Sequence, residues 1–560
     1  MTTSGRIDGS IDLGAGNNTL TDTKATINGS VTGGSGNDSL ANSGSIRDYV
    51  HLGDGNNTVT NSGTLLAELT FGGGNDMLTN SGTMLSKATF FDGNNTFTNS
   101  GSVIGDTSFG LGNDKLTNNG SIGGHFLTFG GGNDVLINTK TIGADVLFGA
   151  GNDSATNSGH IMGLVMMGDG NNVVGNTGTI DGDLSFGTGN DHLTNGGTLG
   201  GALLSFGDGS NTLGNTGLIE AGVVGFGSGI DTVTNSGTIL GDLSTAGGDD
   251  KVTNTGTIGG EIILGDGNDT FLGGNHAEIV ADGNGNDSYK LGAGDDLYYA
   301  LLDSDTGKDT VDGGSGNDVY DASLLNSHAV SVNLDSVQQG NILVGIVAAH
   351  SATSVDGPTE TVSNFETVIG TNDTVHGDFL IGAAASETLK GLAGNDILWG
   401  GAGNDTLLGG DGHDDLSGGS GNDSLDGGNG ADLISGGAGV DTLTGGAGDD
   451  TFQFGAANES GLTRATRDVI TDFEGNSLSV HDVIDLSLID ADTKTTGNQA
   501  FTFIGMNTAF TGVAGQLNAL FQGDQTIVQG DTNGDGKADF SIAVHSATGH
   551  VTLDVGNFVL

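Results

Sequence analysis

The chain of 560 residues contains 109 Gly, one Pro and no Cys, and its 69 acidic residues against 14 basic ones give a formal net charge of −55. This composition excludes collagen-like and Pro-rich chains, and the shortage of Lys and Arg argues against binding to nucleic acid or to an anionic membrane surface. A charge this large opposes compaction and indicates cations as the natural ligands.

The first ten residues, MTTSGRIDGS, show no basic segment followed by an apolar one, so we expect no cleaved secretory signal. No stretch of the chain approaches the roughly 20 apolar residues that a membrane helix requires. We therefore expect no membrane insertion. The absence of Cys excludes disulfides but does not fix the compartment.

Residues 1–263 consist of a repeat with a period of 19 or 20 residues. The phrase LGAGNNTL (Leu13 to Leu20) returns as FGGGNDML (Phe71 to Leu78) and FGTGNDHL (Phe186 to Leu193). Its marker glycines, followed into the next segment, are Gly16, Gly36, Gly55, Gly74, Gly93, Gly112, Gly132, Gly151, Gly170, Gly189, Gly209, Gly229, Gly248 and Gly267. Such a period, with Gly turns and short apolar segments, predicts an elongated parallel β-solenoid with two strands and two turns per coil.

Two columns of identical residues follow from this register. One is expected to stack inside as the core, with Met167 filling its gap: Phe71, Phe90, Phe109, Phe129, Phe148, Phe186, Phe206 and Phe226. The other is expected to form an amide ladder along the axis: Asn42, Asn61, Asn80, Asn99, Asn118, Asn138, Asn157, Asn176, Asn195, Asn215, Asn235 and Asn254. Both columns are interpreted as structural rather than catalytic.

The second residue after each marker glycine, which we term the turn position, is acidic in some copies and neutral in others. Asp occupies it at Asp38, Asp76, Asp114, Asp134, Asp153, Asp191, Asp231, Asp250 and Asp269, and Asn at Asn18, Asn57, Asn95, Asn172 and Asn211. The mixture leaves two alternatives open, a calcium-binding solenoid and a metal-free one.

Between residues 264 and 299 the period shortens to nine, which predicts a transitional β-roll. A less regular folded β insert is expected at 300–381, with strand-like runs such as AVSVNL (Ala329 to Leu334) and the only proline, Pro358. The acidic positions of the nine-residue copies in these two segments are candidate metal ligands: Asp269, Asp287, Asp296 and Asp318.

Regular nonapeptides such as GGAGNDTLL fill residues 382–453. Seven consecutive copies, preceded by a decayed one at Gly382 to Lys390, place their sixth-position acids at Asp396, Asp405, Asp414, Asp423, Asp432, Asp441 and Asp450. Two copies make one coil, so acids eighteen residues apart should lie ~5 Å apart in two rows and repel each other. Calcium, which takes carboxylate and carbonyl oxygens in flexible geometry, fits this pattern better than Mg²⁺ or Zn²⁺. Acidic surface turns without metal are the alternative.

This nonapeptide array resembles the calcium-binding repeats of RTX (repeats-in-toxin) proteins, in which they form a parallel β-roll. The resemblance implies ligands from the Asp carboxylates and from the carbonyls of the first and third residues of each copy. Those residues are Gly391, Ala393, Gly400, Ala402, Gly409, Asp411, Gly418, Ser420, Gly427, Asn429, Gly436, Ala438, Gly445 and Ala447.

Residues 454–560 resemble the C-terminal domain of serralysin-type secreted metalloproteases, through DVITDF, HDVIDLSLIDAD, NQAFTFIG and QGDTNGDGKADFSI in that order. The resemblance implies a capping, β-sandwich-like segment with a type I secretion signal, at the chain end DVGNFVL. The protease itself is not expected, because no His is followed by Glu and the zinc motif HExxH is missing. Within DTNGDGKAD, an EF-hand-like loop or a plain Asp/Gly turn would involve Asp531, Asn533, Asp535 and Asp539.

The sequence thus predicts a secreted or cell-surface calcium-binding RTX protein, from a bacterium with type I secretion, that folds on meeting extracellular calcium. A structural role is favoured, as a surface-layer, matrix or adhesin subunit that contacts itself or a cell-surface polysaccharide. The alternative is a polysaccharide-modifying enzyme of the epimerase or lyase type, since β-helices joined to RTX modules occur in alginate epimerases. Against it, His51, His125, His160 and His192 lie in different copies.

Overall fold

The computed structural model describes residues 1–301, 307–325, 328–341, 345–354, 357–475, 481–546 and 549–560. It confirms the predicted all-β parallel β-solenoid. The chain divides into two compact units, Met1–His276 (unit 1) and Ala277–Leu560 (unit 2). Among the described residues the one helical element is a 3-10 turn at Val555–Asn557, and none is long and apolar enough to cross a bilayer. Parts of the predicted insert, at 302–306, 326–327, 342–344 and 355–356, lie outside the described residues.

Each coil of unit 1 holds three short strands, so the prediction of two strands per coil is wrong. In one coil they are Met77–Asn80, Thr83–Met84 and Ala88–Thr89. The physical reason is a corner after Asn80, whose side-chain amide donates to the carbonyl of Gly82 at 3.4 Å and turns the chain within the Ser-Gly pair. The phrase TNSGT (Thr79 to Thr83) therefore spans the corner between two strands.

Strands of successive coils pair in parallel, 19 or 20 residues apart, in three sheets. The first sheet contains Thr2–Thr3, Thr19–Asp22, Ser39–Asn42, Thr58–Asn61, Met77–Asn80, Thr96–Asn99, Lys115–Asn118, Val135–Asn138, Ser154–Asn157, Val173–Asn176, His192–Asn195, Thr212–Asn215, Thr232–Asn235, Lys251–Asn254 and Thr270–Leu272. The second contains Arg6–Ile7, Thr26–Ile27, Ser45–Ile46, Thr64–Leu65, Thr83–Met84, Ser102–Val103, Ser121–Ile122, Thr141–Ile142, His160–Ile161, Thr179–Ile180, Thr198–Leu199, Leu218–Ile219, Thr238–Ile239 and Thr257–Ile258. The third contains Ile11–Asp12, Val31–Thr32, Val50–His51, Leu69–Thr70, Ala88–Thr89, Thr107–Ser108, Phe126–Thr128, Asp145–Leu147, Val165–Met166, Leu184–Ser185, Leu203–Ser205, Val223–Gly225, Asp242–Ser244 and Glu261–Ile263.

The predicted Phe column is confirmed as core. Ring centroids of neighbouring members lie 4.7 Å apart for Phe90 and Phe109 and 5.1 Å apart for Phe109 and Phe129, with nearly parallel planes. Met167 is fully buried in the gap of the column. Because these rings supply most of the aromatic surface buried in unit 1, the column should contribute strongly to its stability.

Truncation inside this column should therefore be costly. We expect Phe109→Ala to destabilise unit 1 by about 3–5 kcal/mol, because the cavity is lined by stacked rings that cannot collapse. The matched control is Phe91→Ala, since Phe91 is 50% exposed and should cost little. Urea unfolding of both variants measures the difference, and equal costs would contradict the role of the column.

The Asn ladder is also confirmed. Each side-chain amide donates to the side-chain oxygen of the next, as from Asn99 to Asn118 at 2.9 Å and from Asn118 to Asn138 at 2.8 Å. The same nitrogen reaches a backbone carbonyl at the corner, for example that of Thr141, 3.0 Å from the Asn118 nitrogen. The ladder thereby satisfies buried polar groups along the corner of unit 1.

Unit 2 stacks two-strand coils, as predicted for the nonapeptides. On one side the strands are, in spatial order, Ser288–Ala293, Thr310–Ser315, Thr359–Ser363, Ser351–Ser354, Val330–Asn333, Phe379–Ile381, Ile397–Ala402, Asp415–Gly421, Leu433–Gly439, Thr451–Gln453, Val483–Asp485 and Phe558–Val559. On the other they are Ile279–Ala281, Leu297–Tyr299, Val319–Asp321, Thr367–Ile369, Thr388–Ala393, Thr406–Asp411, Ser424–Asn429, Thr442–Ala447, Val469–Ile470, Phe540–Val544, Gln525–Asp531, Gln516–Gln522 and Thr502–Met506.

Unit 2 departs from regular two-strand stacking in the insert and in the C-terminal segment. The insert adds two antiparallel strands, Val330–Asn333 and Ser351–Ser354, to one side of the stack, and a separate hairpin of Gln339–Asn341 and Gly345–Val347. The other side stacks without interruption from Val319–Asp321 to Thr367–Ile369. In the C-terminal segment the strands Gln516–Gln522, Gln525–Asp531 and Phe540–Val544 form an antiparallel meander. That meander joins the β-roll through Val469–Ile470.

Candidate calcium-binding rows

Local turn geometry aims the acids of the nonapeptides inward. In six of the seven copies the second and fourth residues are glycines with left-handed backbone, as at Gly410 (φ 118°) and Gly412 (φ 150°), which other residues rarely adopt; in the first copy Leu392 takes the second place with φ 75°. The eighth residue, such as Leu416, is fully buried between the two sides of the roll. Together they hold the sixth residue, Asp414, 2% exposed at the inside of the turn.

Acids eighteen residues apart stack in two rows, as the spacing predicts. The backbone N–H of each acid donates to the Oδ1 atom of the acid one coil further, from Asp396 to Asp414 at 2.8 Å and from Asp414 to Asp432 at 2.8 Å. On the other side the bond from Asp405 to Asp423 measures 2.9 Å. One oxygen of each carboxylate is therefore fixed within the row.

The other oxygen is buried and lacks a hydrogen-bond partner. This holds for Oδ2 of all seven sixth-position acids: Asp396, Asp405, Asp414, Asp423, Asp432, Asp441 and Asp450. Burial raises the pKa of Asp414, Asp423, Asp432 and Asp450 to about 6 and that of Asp396 to about 8. Buried anionic oxygens without donors are costly unless a cation lies beside them.

A second oxygen converges on the same place. A Cβ atom built on Gly409 would lie 2.3 Å from Oδ2 of Asp414 and 2.5 Å from the carbonyl oxygen of Gly427. The equivalent point at Gly418 is 2.5 Å from Oδ2 of Asp423 and 2.6 Å from the carbonyl oxygen of Gly436. The carboxylate oxygen and the first-position carbonyl oxygen of the next coil therefore flank the same glycine. Both are oxygen donors of the kind that calcium takes, so the residues present fit the ion.

This geometry makes the first-position glycine a sensitive site. We expect Gly409→Ala to remove or weaken calcium binding at that turn, because the methyl group would clash with both oxygens and displace them. Gly175→Ala is the control, since a Cβ atom there meets nothing within 4 Å. Equilibrium dialysis with radioactive calcium should show fewer bound ions for the first variant alone. An unchanged ion count would place the sites elsewhere.

The rows extend beyond the seven regular copies, to Glu387 at the sixth place of the decayed copy and to three acids that the pattern did not identify. Asp378 and Asp482 terminate one row, and Glu387 and Asp468 the other. At three of these ends the second oxygen accepts a backbone N–H: from Thr371 at 2.6 Å, from Glu474 at 2.6 Å and from Ala383 at 3.2 Å. Those ends are satisfied by the chain itself, whereas the interior acids are not. The sequence indicated Asp468 only as the first residue of the phrase DVITDF, directly before the strand Val469–Ile470.

The remaining predicted ligands have mixed surroundings. Third-position carbonyls are engaged between coils, since those of Ser420 and Asn429 accept N–H groups at 2.8 Å. Asp269, Asp296 and Asp318 accept row bonds from the preceding acid. Asp287 accepts the hydroxyl of Tyr289 at 3.1 Å, and its N–H donates to Asp309 at 2.6 Å. The ligand roles of these residues stay predictions.

In the EF-hand-like loop the oxygens are occupied by the loop itself. Asp531 accepts N–H groups from Gly534 and Gly536 at 2.7 and 2.9 Å. Asp539 accepts the Thr532 N–H and hydroxyl, and the N–H of Asn533. The side chain of Asp535 accepts the N–H of Lys537, and the side chain of Asn533 accepts the N–H of Asp535. These contacts describe a hydrogen-bonded Asp/Gly turn, and the metal prediction for it stays a prediction.

One acidic group in the core of unit 2 was missed. Asp282, Asp309 and Glu360 are buried, and each places a carboxylate oxygen within 4.8 Å of the other two. The hydroxyls of Tyr298 and Tyr320 donate to Asp282 and Glu360 at 2.7 and 2.9 Å. Sequence periodicity gives no signal for it, because Glu360 reaches the group through the insert.

Comparison with known proteins locates the repeats. The family described as RTX calcium-binding nonapeptide repeat (4 copies) matches residues 301–324, 381–416 and 417–452. No curated protein matches the chain. Among solved structures, the AlgE6R2 subunit of the Azotobacter vinelandii mannuronan C5-epimerase is 24% identical over 32% of this chain and 91% of its own, with a TM-score of 0.20.

Two further solved structures are similar over about half of the chain. A hyperactive, Ca²⁺-dependent, β-helical antifreeze protein from an Antarctic bacterium is 20% identical over 56% of this chain and 85% of its own, with a TM-score of 0.31. The extracellular lipase LipA from Serratia marcescens is 17% identical over 52% and 40%, with a TM-score of 0.12. From the family match and the geometry of the rows, the chain is a calcium-binding β-solenoid protein that carries RTX nonapeptide repeats.

Proposed function

We propose that the protein is a secreted, calcium-folded structural component of a bacterial surface or matrix. The observation that carries the calcium part is the two rows of buried carboxylates in unit 2 with one unsatisfied oxygen per acid. The roll is stable only when cations bind to these rows. Calcium sites in extracellular modules bind at about 10⁻⁴ to 10⁻³ M, so the concentration outside a cell suits such a switch and that of a cytosol does not.

Export follows from this switch. A chain with a net charge of −55 and abundant glycine stays expanded without calcium, because little apolar area offsets its conformational entropy. An expanded chain can pass a narrow type I exporter and fold outside, where binding free energy becomes folding free energy. The serralysin-like C-terminal segment supports this route.

A structural role is favoured over an enzymatic one by the histidines of unit 1. His160 lies in the second sheet and pairs with exposed Asp181 at 2.6 Å, whereas His192 lies in the first sheet and contacts Thr194. Enzymes acting on anionic sugars gather basic residues in one groove, and the described part of unit 1 presents no such convergence. Stacked identical coils instead suit lateral assembly or repetitive contact with a polysaccharide.

Electron microscopy of the full chain with and without millimolar calcium tests the role. Ordered sheets or filaments that need calcium support assembly. The matched control replaces Asp405, Asp423 and Asp441 by Asn, which should abolish assembly while preserving chain length and most of the charge. Persistent monomers together with epimerisation or cleavage of alginate would overturn the structural role in favour of the enzyme.

A further inference from the structure

Unit 1 lies outside the family match, yet its turn positions form a row of their own. The backbone N–H of each member donates to the side-chain Oδ1 atom of the next, whether that member is Asp or Asn: from Asn95 to Asp114 at 2.7 Å and from Asp153 to Asn172 at 2.9 Å. Both residue types are buried to the same degree, with Asn95 fully buried and Asp114 1% exposed. Since Oδ1 is fixed in the same bond, the second side-chain atom occupies the same place in every turn.

In the Asn coils this second atom is a donor with two acceptors. The Nδ2 atom of Asn95 donates to the carbonyls of Phe91 and Gly93, both at 3.0 Å. That of Asn172 donates to the carbonyls of Gly168 and Gly170 at 2.9 and 3.1 Å. The same pair of bonds recurs at Asn57 and Asn211. Each amide therefore satisfies two inward-facing carbonyl oxygens of its own turn.

In the Asp coils the second atom is an oxygen. It is buried and lacks a hydrogen-bond partner at Asp38, Asp76, Asp114, Asp134, Asp153, Asp191 and Asp231. By equivalence it faces the same two carbonyls, so three oxygens meet with no hydrogen between them. For Asp134 those carbonyls belong to Gly130 and Gly132. Such a set is unfavourable unless a hard cation joins it, and calcium accepts carboxylate and carbonyl oxygens together.

The pKa of a turn-position acid depends on the residue at the turn position of the preceding coil. Burial raises the pKa of Asp76 and Asp114, and the amide of the Asn in the preceding coil opposes that rise. At Asp134 and Asp153, which follow another Asp, the preceding carboxylate adds to the rise instead. The Asn amide thus acts on the next acid as a partial positive charge, which a carboxylate cannot supply.

We propose that unit 1 binds calcium only in the coils whose turn position is Asp, and that in the Asn coils the side-chain amide takes the place of the ion. The residue at this position then determines, coil by coil, whether the solenoid requires metal. The Asn coils before Asp38, Asp76, Asp114, Asp191 and Asp231 interrupt the row of charges, so these turns persist when calcium is scarce. The inference extends the proposed function, which rests on unit 2, to a second and mixed set of sites.

Exchange of the two residue types in the full chain tests this. Asp134→Asn with Asp153→Asn should lose two bound calcium ions, and Asn95→Asp with Asn172→Asp should gain two, as counted by native mass spectrometry at saturating calcium. The control is Asp92→Asn with Asp169→Asn. Those acids are exposed, and each accepts one N–H with its Oδ1 atom, which Asn can also do. The control should leave the count unchanged.

Hydrogen exchange in calcium-free buffer gives a readout independent of ion counting. There the first variant should protect peptides around residues 130–153 more than the wild type does, because the new amides satisfy the carbonyls. An unchanged ion count or unchanged protection in the folded first variant would overturn the inference. The variant with Asp405→Asn and Asp423→Asn tests the sites of unit 2 separately and leaves the differences between the unit 1 variants unchanged. Failure of the proposed function is therefore distinguishable from failure of this inference.

Discussion

Removing calcium from the full chain at pH 7.5 should unfold the nonapeptide array at residues 388–453. At pH 7.5 neighbouring row acids whose pKa is about 6, such as Asp414 and Asp432, are charged and lie about 5 Å apart, which costs about 3 kcal/mol per pair at an effective dielectric near 20. Unsatisfied Oδ2 atoms add a desolvation cost. The row bonds reach only Oδ1 and leave these Oδ2 atoms without a hydrogen-bond donor.

Calcium binding opposes this cost. At 1 mM calcium, a site with a dissociation constant of 10⁻⁴ M stabilises the folded state by about 1.4 kcal/mol. Seven such sites would contribute roughly 10 kcal/mol, which is as large as the whole stability of a typical domain. Folding of the array should therefore follow calcium cooperatively.

Hydrogen exchange with mass spectrometry localises the effect. Peptides from residues 388–453 should exchange within seconds in chelator and be protected in 1 mM calcium, whereas magnesium at the same concentration should not protect them, because it prefers stricter geometry and retains its waters. Equal protection in chelator and in calcium would show that the rows are stable without ions.

The nonapeptide array was predictable because its period is regular and its residues are few. A fixed spacing of nine with Gly at the turn and Leu at the eighth place determines both the register and the inward direction of Asp414. The Phe column and the Asn ladder were equally accessible, since each repeats a single residue at a constant interval.

Features that depend on geometry within a coil were not accessible. The corner at Asn80 was not predicted, although its Ser-Gly pair is a turn signal, because a period near 20 fits two strands per coil as well as three. In the structure the Asn80 amide contacts the carbonyl of Gly82 at this corner. The row ends at Asp378 and Asp482 were missed since their neighbours depart from the nonapeptide. Their role arises from N–H groups of Thr371 and Glu474 that the fold brings to them.

Acidification should stabilise the array in calcium-free solution and reduce the stabilisation that calcium adds. Burial raises the pKa of Asp414, Asp423, Asp432 and Asp450 to about 6, and those of Asp396 and Asp468 to about 8. The unfolded chain has ordinary values near 4. Between these limits the ion-free folded state binds more protons than the unfolded state, so its stability rises as pH falls from about 8 towards 5.

Calcium should add less stability as the solution becomes more acidic. Ligand carboxylates must be ionised to hold the ion, so protons compete with calcium and the stabilisation that calcium adds is lost as pH falls through about 6. Urea unfolding of the full chain, followed by exchange at residues 388–453, should show a calcium-free array that is unfolded at pH 7.5 and becomes folded towards pH 5, and a gain in stability from calcium that shrinks over the same range. Each carboxyl shifted by two pKa units corresponds to roughly 2.7 kcal/mol. Replacing Asp414, Asp432 and Asp450 by Asn should flatten both trends, since the amide does not titrate. A gain from calcium that is the same at pH 7.5 and pH 5 would contradict the assignment of the rows as calcium ligands.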